Sequence, residues 1–234
     1  MTIMLSEFQT AEGIILKVIP FRDYDQIVAI FTKEAGLIKV LCKKSRNKKG
    51  GAKSHYTPLT KVELVYKEQK GEIFNCHEIS ILDFYRHLRT ELNHLNAACD
   101  IIQLLYQTQL VGKPAPRLFT LTEIYLKKIP QTQFPDILTT SFRLKLLKHE
   151  GILAHPLVCS VCLQPLHQEA FFFRGEVFCR LHYPMGASYL HENEIDVLYQ
   201  LLNCKNYQEL TEITLFSQTK NKIERYCKET MQKE

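Results

Sequence analysis

No stretch of this chain is long and apolar enough to cross a bilayer as a helix. Met1–Thr10 lacks the basic start and long apolar run of a secretory signal peptide. A cytoplasmic setting with free thiols is therefore expected. There is no phosphate-cradling P-loop, no dinucleotide-binding glycine fingerprint and no Gly-x-Ser-x-Gly elbow. Carboxylates are plentiful but form no recognisable catalytic pair. With those devices missing, the residues give no positive support for an enzyme. Internal repeats and low-complexity linkers are also missing, which argues against a solenoid or a disordered spacer.

What is present is ordinary globular material. The 234 residues are 45% hydrophobic, enough for one large domain or two small ones. Net charge is +5, and its distribution says more than its size. Residues 1–80 hold 13 Lys/Arg against 9 Asp/Glu, whereas residues 81–234 hold 17 against 16. A basic first third points to a polyanionic partner such as nucleic acid or an anionic membrane.

The first third reads as strands. Gly13–Ile19 is rich in β-branched residues and is bounded by Pro20. Gln26–Thr32 follows a polar turn at Arg22–Asp25, and Gly36 turns the chain into Leu37–Cys42. Lys61–Tyr66 alternates apolar and polar residues as a half-buried strand does, and Lys70-Gly71 turns it into Glu72–Cys76. Five short strands in about 70 residues predict a small antiparallel barrel, with the OB-fold as the natural candidate and an SH3-like barrel as its rival.

The period changes near Ile81. Tyr85, Leu88, Leu92, Leu95, Cys99, Ile102 and Leu105 fall at spacings of three and four, which predicts one long helix closing near Gly112 and Pro114. Further helices are predicted over Leu118–Ile129, Asp136–His149, Glu192–Leu202 and Gln208–Lys228. The expected architecture is α+β: a five-stranded OB barrel over 1–80, then a helical domain over 81–234. A zinc-ribbon-like element at about 155–185 interrupts the helices.

Two features carry chemistry. The first is Cys159-x2-Cys162, a 16-residue spacer, then Cys179-x2-His182. Two close pairs separated by a hairpin-sized segment suit tetrahedral Zn²⁺, each tight turn supplying two ligands. The spacer contains Ala170–Phe178, which reads as two short strands turning at Arg174-Gly175. Four good ligands favour a closed structural site over a catalytic one with an open position. The competing readings are clustered reduced cysteines or a redox pair at Cys159/Cys162. A zinc deaminase would carry His-x-Glu followed by Pro-Cys-x-x-Cys. His167-Gln168-Glu169 matches the first element but follows Cys159/Cys162, so the order is wrong. His155 and His167 are possible substitute ligands.

The second feature is the run from Lys43 to Lys53. Six of its eleven residues are basic (Lys43, Lys44, Arg46, Lys48, Lys49 and Lys53), and Gly50-Gly51 lies within it. A charge run is often only a solvated loop. Between the third and fourth strands of such a barrel it would neutralise phosphates and release counterions, giving salt-sensitive binding without sequence preference. Phe21, Tyr24 and Tyr56 are the aromatics nearby that could stack bases, although packing roles compete for each.

These stretches resemble the bacterial recombination mediator family RecO. The likeness begins at Glu12–Leu16, continues through Asp23–Val28 and Phe31–Gly36, and leads into the basic run. It returns at Phe142–Leu147, Gly151, Pro156 and the Cys159/Cys162 pair, and Gly175 before Cys179 also fits. It implies an N-terminal OB-fold and a helical domain carrying the zinc element. It also implies a non-enzymatic, nucleoid-associated DNA-binding protein of repair and recombination. Such proteins bind single- and double-stranded DNA, anneal complementary strands and contact the single-strand-binding protein. They act with RecR to help load RecA. Zinc-bearing relatives typically carry four cysteines, and here His182 stands in the last place. Imidazole serves Zn²⁺ equally well. The alternative function is a protein-interaction adaptor, in which the helical domain and zinc element dock repair partners and DNA binding is secondary.

Overall fold

The computed structural model describes residues 8–22, 25–43, 56–153 and 157–232. The chain packs as two compact units, Met1–Pro130 and Gln131–Glu234. The first two long helices therefore belong with the barrel, although the residue pattern turns helical from Ile81.

Five strands form a closed barrel: β1 (Gln9–Phe21), β2 (Asp25–Thr32), β3 (Gly36–Cys42), β4 (Lys61–Lys67) and β5 (Ile73–Asp83). The ring runs β1-β2-β3-β5-β4 and closes back on β1. All neighbours are antiparallel except β3 and β5. That parallel seam distinguishes the OB-fold from a strand count that an SH3-like barrel would also satisfy. Ile15, Val28, Ile30, Ile38, Val40, Val62, Leu64 and Tyr66 fill the interior. They come from alternate positions along each strand, as period-2 pleating requires.

Two strands are longer than their residues suggest. β1 pairs first with β4 (Gln9 to Ile14) and then with β2 (Gly13 to Phe21), with a register shift between Ile15 and Lys17. A Cβ on Gly13 would collide with Ile30 Cγ2 and lie 2.9 Å from the Phe31 carbonyl oxygen, so only glycine fits where β1 changes partner. β5 runs past Cys76 to Asp83 because it leaves β3 and continues along β4. From His77 onward most of its residues are exposed, Ile81 and Leu82 among them.

The helix predicted to begin at Tyr85 is broken. Tyr85 adopts φ 46°, a short 3-10 turn covers Arg86–Arg89, and α1 starts at Leu92 and ends at Thr108. Its buried stripe is His94, Ala97, Ala98, Ile101, Ile102, Leu104 and Leu105. Leu92 and Cys99, assigned to the apolar face from their spacing, are exposed. Two buried alanines rotate the true stripe away from the larger residues. α2 (Pro116–Lys128) lies on the barrel, with the Phe119 ring 5.8 Å from that of Phe31. Lys61 Nζ bridges Glu12 at 3.0 Å and Glu123 at 2.8 Å, tying β4 to β1 and α2.

The second unit is built around α3 (Pro135–His149), buried on nearly every side. Proline opens both α2 and α3, where its missing N–H costs nothing. Packed against α3 are α4 (Glu192–Asn203), α5 (Tyr207–Glu212) and α6 (Ser217–Met231). Ser141 Oγ donates to the Leu201 carbonyl at 2.6 Å, and Lys145 Nζ to the Cys204 carbonyl at 2.6 Å. The single helix predicted over Gln208–Lys228 is two helices. Ile213 leaves helical dihedrals at ψ 124°, within a stretch whose Thr211, Ile213 and Thr214 are β-branched.

Candidate metal centre and nucleic-acid interface

Between α3 and α4 the chain forms a three-stranded sheet, β7-β6-β8, from β6 (Ala170–Phe173), β7 (Glu176–Phe178) and β8 (Ser188–Leu190). The expected hairpin turns at Arg174 (φ 50°) and Gly175 (φ 73°), both in the left-handed region that two-residue hairpins favour. The third strand, β8, has only three residues and shows no pattern in the sequence. At its turn the hairpin presses on α6. A Cβ on Gly175 would lie 2.8 Å from Thr230 Cα and 2.9 Å from the Glu229 carbonyl oxygen. The Phe172 ring stacks on Tyr226 of α6 with centroids 4.1 Å apart.

The opposite end of the hairpin holds the four predicted ligands. The first knuckle is a narrow loop in which Cys159 N–H donates to Gln164 O at 3.0 Å and Leu163 N–H to Cys159 O at 2.9 Å. Leu163 sits at φ 60° to close it. In the second, His182 N–H donates to Cys179 O at 3.0 Å. Ser160 N–H donates to Val177 O at 2.8 Å and ties the first knuckle to β7, which leads into the second.

This folding brings the ligand atoms of Cys159, Cys162, Cys179 and His182 within 4.8 Å of one another. Cys162 Sγ is 3.9 Å from Cys179 Sγ, and His182 Nδ1 is 3.7 Å from Cys159 Sγ and 3.2 Å from Cys179 Sγ. Tetrahedral zinc with bonds of about 2.3 Å to sulfur and about 2.05 Å to nitrogen separates sulfurs by about 3.8 Å and sulfur from nitrogen by about 3.6 Å. The Cys3His group thus fits one tetrahedral metal ion, with Nδ1 as the imidazole donor. His167 and Glu169 are not in the group, and His155 lies outside the described residues.

The environment favours the thiolate of Cys159. Burial opposes ionisation of Cys159, but backbone N–H groups of Cys162, Cys179 and Val161 outweigh it and hold its pKa at about 6. For Cys162 the Gln164 backbone favours the thiolate. Burial and the neighbouring Cys159 and Cys179 thiols push the other way, and the net direction is upward. Backbone donors aimed at ligand sulfurs are the outer layer of support that such sites need. A further support comes from α4. Tyr199 Oη accepts from Leu157 N–H at 3.0 Å and donates to Leu166 O at 3.0 Å, inserting one hydroxyl into the ladder beneath the first knuckle. Nothing in the spacing of the ligands points to Tyr199, because the contact spans 42 residues.

The basic run is a different matter. Lys43 is exposed at the end of β3. Lys44, Arg46, Lys48, Lys49 and Lys53 lie outside the described residues, as does Tyr24. Tyr56 packs against the barrel core, and Phe21 carries the Arg22 guanidinium 5.1 Å from its ring centroid. The pairing of the strands adds two cations that no single strand reveals. Lys17 pairs with Ala29, which pairs with Lys39, so both lysines stand on one face across β1, β2 and β3. Each is the single cation of its own strand, Lys39 being paired with Glu72 at 3.4 Å, so only the register connects them.

A closed OB barrel and a helical unit bearing a Cys3His group that could hold a metal ion define a two-module protein. The chain belongs to the RecO family of DNA repair and recombination proteins. The family model described as Recombination protein O N terminal matches residues 4–85, and that described as Recombination protein O C terminal matches residues 89–233. The chain is similar to the DNA repair protein RecO of Chlamydia trachomatis serovar D, with 27% identity over 202 residues, 86% of this chain and 83% of that protein. It is also similar to the DNA repair protein RecO of Chlamydia pneumoniae, 25% identical over 204 residues, covering 87% and 81% of the two chains. A third relative, from Desulfitobacterium hafniense, is 26% identical over 181 residues, covering 76% and 66%. No helix among the described residues is long and apolar enough to cross a membrane.

Proposed function

We propose that this protein is a non-enzymatic, nucleoid-associated mediator that binds and anneals single-stranded DNA and helps load RecA onto strands covered by single-strand-binding protein, acting with RecR. Its membership of the RecO family and the OB barrel support this reading. The observation that carries it is the basic run Lys43–Lys53 in the connection between β3 and β4 of that barrel. Lys43, Lys44, Arg46, Lys48, Lys49 and Lys53 hold the DNA backbone, and Lys17 and Lys39 extend the positive face across the strands. Neutralising phosphates lowers the repulsion between two strands while leaving base edges free to pair, which is the physical content of annealing. Double-stranded DNA binds through the same charges. The Cys3His group holds one structural Zn²⁺. The functional division into a DNA-binding module over 1–80 and a helical module over 81–234 differs from the compact units, which group α1 and α2 with the barrel.

Salt titration of single-strand binding tests this. Replacing Lys43, Lys44, Arg46, Lys48 and Lys49 with Ala should weaken binding and flatten the dependence of log K on log salt by about 0.7 for each phosphate no longer neutralised. Unchanged affinity and slope would refute the assignment.

A second reading is an adaptor role for the metal element. Val161, Leu163, Leu181 and Met185, all on the two knuckles, are 59%, 71%, 87% and 95% exposed. Four exposed apolar side chains on or beside the two ligand turns favour a docked protein partner. This reading expects normal DNA binding without the loop charges, and abolished partner binding after Leu181→Ser with Met185→Ser.

A further inference from the structure

Cys42 and Cys76 are 34 residues apart and share no motif. The fold brings them together at the parallel seam of the barrel. Lys39, Val40 and Leu41 of β3 stand opposite Ile73, Phe74 and Asn75 of β5, and the same register continued by one residue sets Cys42 opposite Cys76. Both side chains pack with the barrel core, Cys42 buried and Cys76 half-buried. The two thiols interact with each other and shift each other's titration in opposite directions. Neighbouring strands lie about 4.8 Å apart, inside the Cα separation of roughly 4.4–6.8 Å that a disulfide spans.

We propose that Cys42 and Cys76 form a reversible oxidation site, at which a hydroperoxide converts the thiol pair into a disulfide across the β3–β5 seam. Half-buried Cys76 is the entry point and buried Cys42 is the resolving thiol. The hydrogen bond from Cys42 lowers the pKa of Cys76 although burial opposes it, and the same bond together with burial raises that of Cys42. Of the two sulfurs, half-buried Cys76 is the one that solvent and a peroxide reach first. In the first step the Cys76 thiolate attacks one peroxide oxygen. The O–O bond breaks, hydroxide leaves and is protonated to water, and Cys76 becomes a sulfenic acid. In the second step the Cys42 sulfur attacks Cys76 Sγ as its proton leaves, the S–O bond breaks, and the departing hydroxide takes that proton as a second water. Two thiols are oxidised by two electrons, and hydrogen peroxide is reduced to two waters. A cellular dithiol reverses the step by thiol–disulfide exchange. Because Cys42 directly precedes Lys43, the bridge would tie the start of the basic run to β5. The chemistry itself does not depend on DNA binding.

The test uses the full-length, metal-replete, pre-reduced protein. It is given a short dose of hydrogen peroxide, quenched with catalase, alkylated under denaturing conditions and mapped by peptide mass. The expected product is a bridged peptide pair containing Cys42 and Cys76, lighter by two hydrogens and abolished by treatment with dithiothreitol. The Cys76→Ala variant should leave Cys42 fully alkylated at the dose that bridges the unmodified protein. Complete alkylation of both cysteines after peroxide would overturn the proposal. So would Cys76 accumulating as sulfinic acid while Cys42 stays free, or Cys42 oxidising as readily without Cys76.

Discussion

The hydroxyl of Tyr199 offers a sharp test of how the metal clasp is held. It accepts from Leu157 N–H and donates to Leu166 O, both at 3.0 Å, while Leu166 N–H bonds directly to Leu157 O at 2.8 Å. Tyr199→Phe keeps the ring and removes this bridge. One backbone donor and one acceptor in a partly buried ladder then go without their partner. Each such hydrogen bond contributes about 0.5–1.5 kcal/mol, so the variant should be less stable by about 2 kcal/mol. In a chain of this size that lowers Tm by roughly 4–8 °C. The knuckle carrying Cys159 and Cys162 also loses its footing on α4, and removing outer supports of this kind weakens metal binding about 10–100-fold. Thermal melts of metal-loaded protein and competition for zinc against a chromogenic chelator read the two effects separately. Tyr183→Phe, at an exposed ring on the second knuckle, is the control and should change neither. If Tyr199→Phe keeps both Tm and zinc affinity, the hydroxyl does not support the site and the clasp is held without α4.

Cys162→Ala should loosen the segment from Val158 to Tyr183 and release the metal, since structural zinc contributes about 10–16 kcal/mol of apparent binding energy in small finger domains. Full metal content and an unchanged melt in that variant would remove Cys162 from the ligand set. Gly175→Ala places a Cβ against the backbone of Glu229 and Thr230 at a positive φ and should destabilise the second unit by roughly 2–4 kcal/mol, measured by urea denaturation. Burial alone would raise the pKa of Glu194, but Lys222 at 2.7 Å, the His191 N–H and the Thr219 hydroxyl lower it overall. A folded-state pKa below the unfolded one stabilises above the ordinary glutamate range and loses that stabilisation as pH falls through the folded value. Glu194→Gln should therefore melt lower than the parent at neutral pH, with the gap closing below about pH 4. A gap of constant size across that range would contradict the ion-pair account.

Much of this protein is legible locally. The alternation in Lys61–Tyr66, the turn signals at Gly36 and Lys70-Gly71, and the paired ligands flanking an aromatic hairpin each express a short-range rule. The corresponding elements form. Legibility fails where an element's partner decides its length or face. β5 extends to Asp83 because β4 is there to pair with it, and exposed residues such as His77 and Glu78 carry no apolar signal for that. Spacing alone misplaces the stripe on α1, because small alanines count for little in a hydrophobic pattern yet mark where the helix packs closest. The Cys3His grouping is readable in full, since four side chains on two tight turns need no tertiary knowledge. Tyr199, which holds the first turn from another helix, is not.

The residues by themselves determined the OB-like strand set, the helical second half, the Cys3His clasp and the concentration of positive charge in the first third. Each depends on period, turn chemistry or spacing within a few dozen residues. The tertiary structure alone decided that β3 and β5 run parallel, that Lys17 and Lys39 share a face, that Tyr199 underpins the clasp, and that Cys42 meets Cys76. Those are relations between segments far apart in the chain. Strand order and register create them, and no local pattern encodes which distant residue a side chain will face.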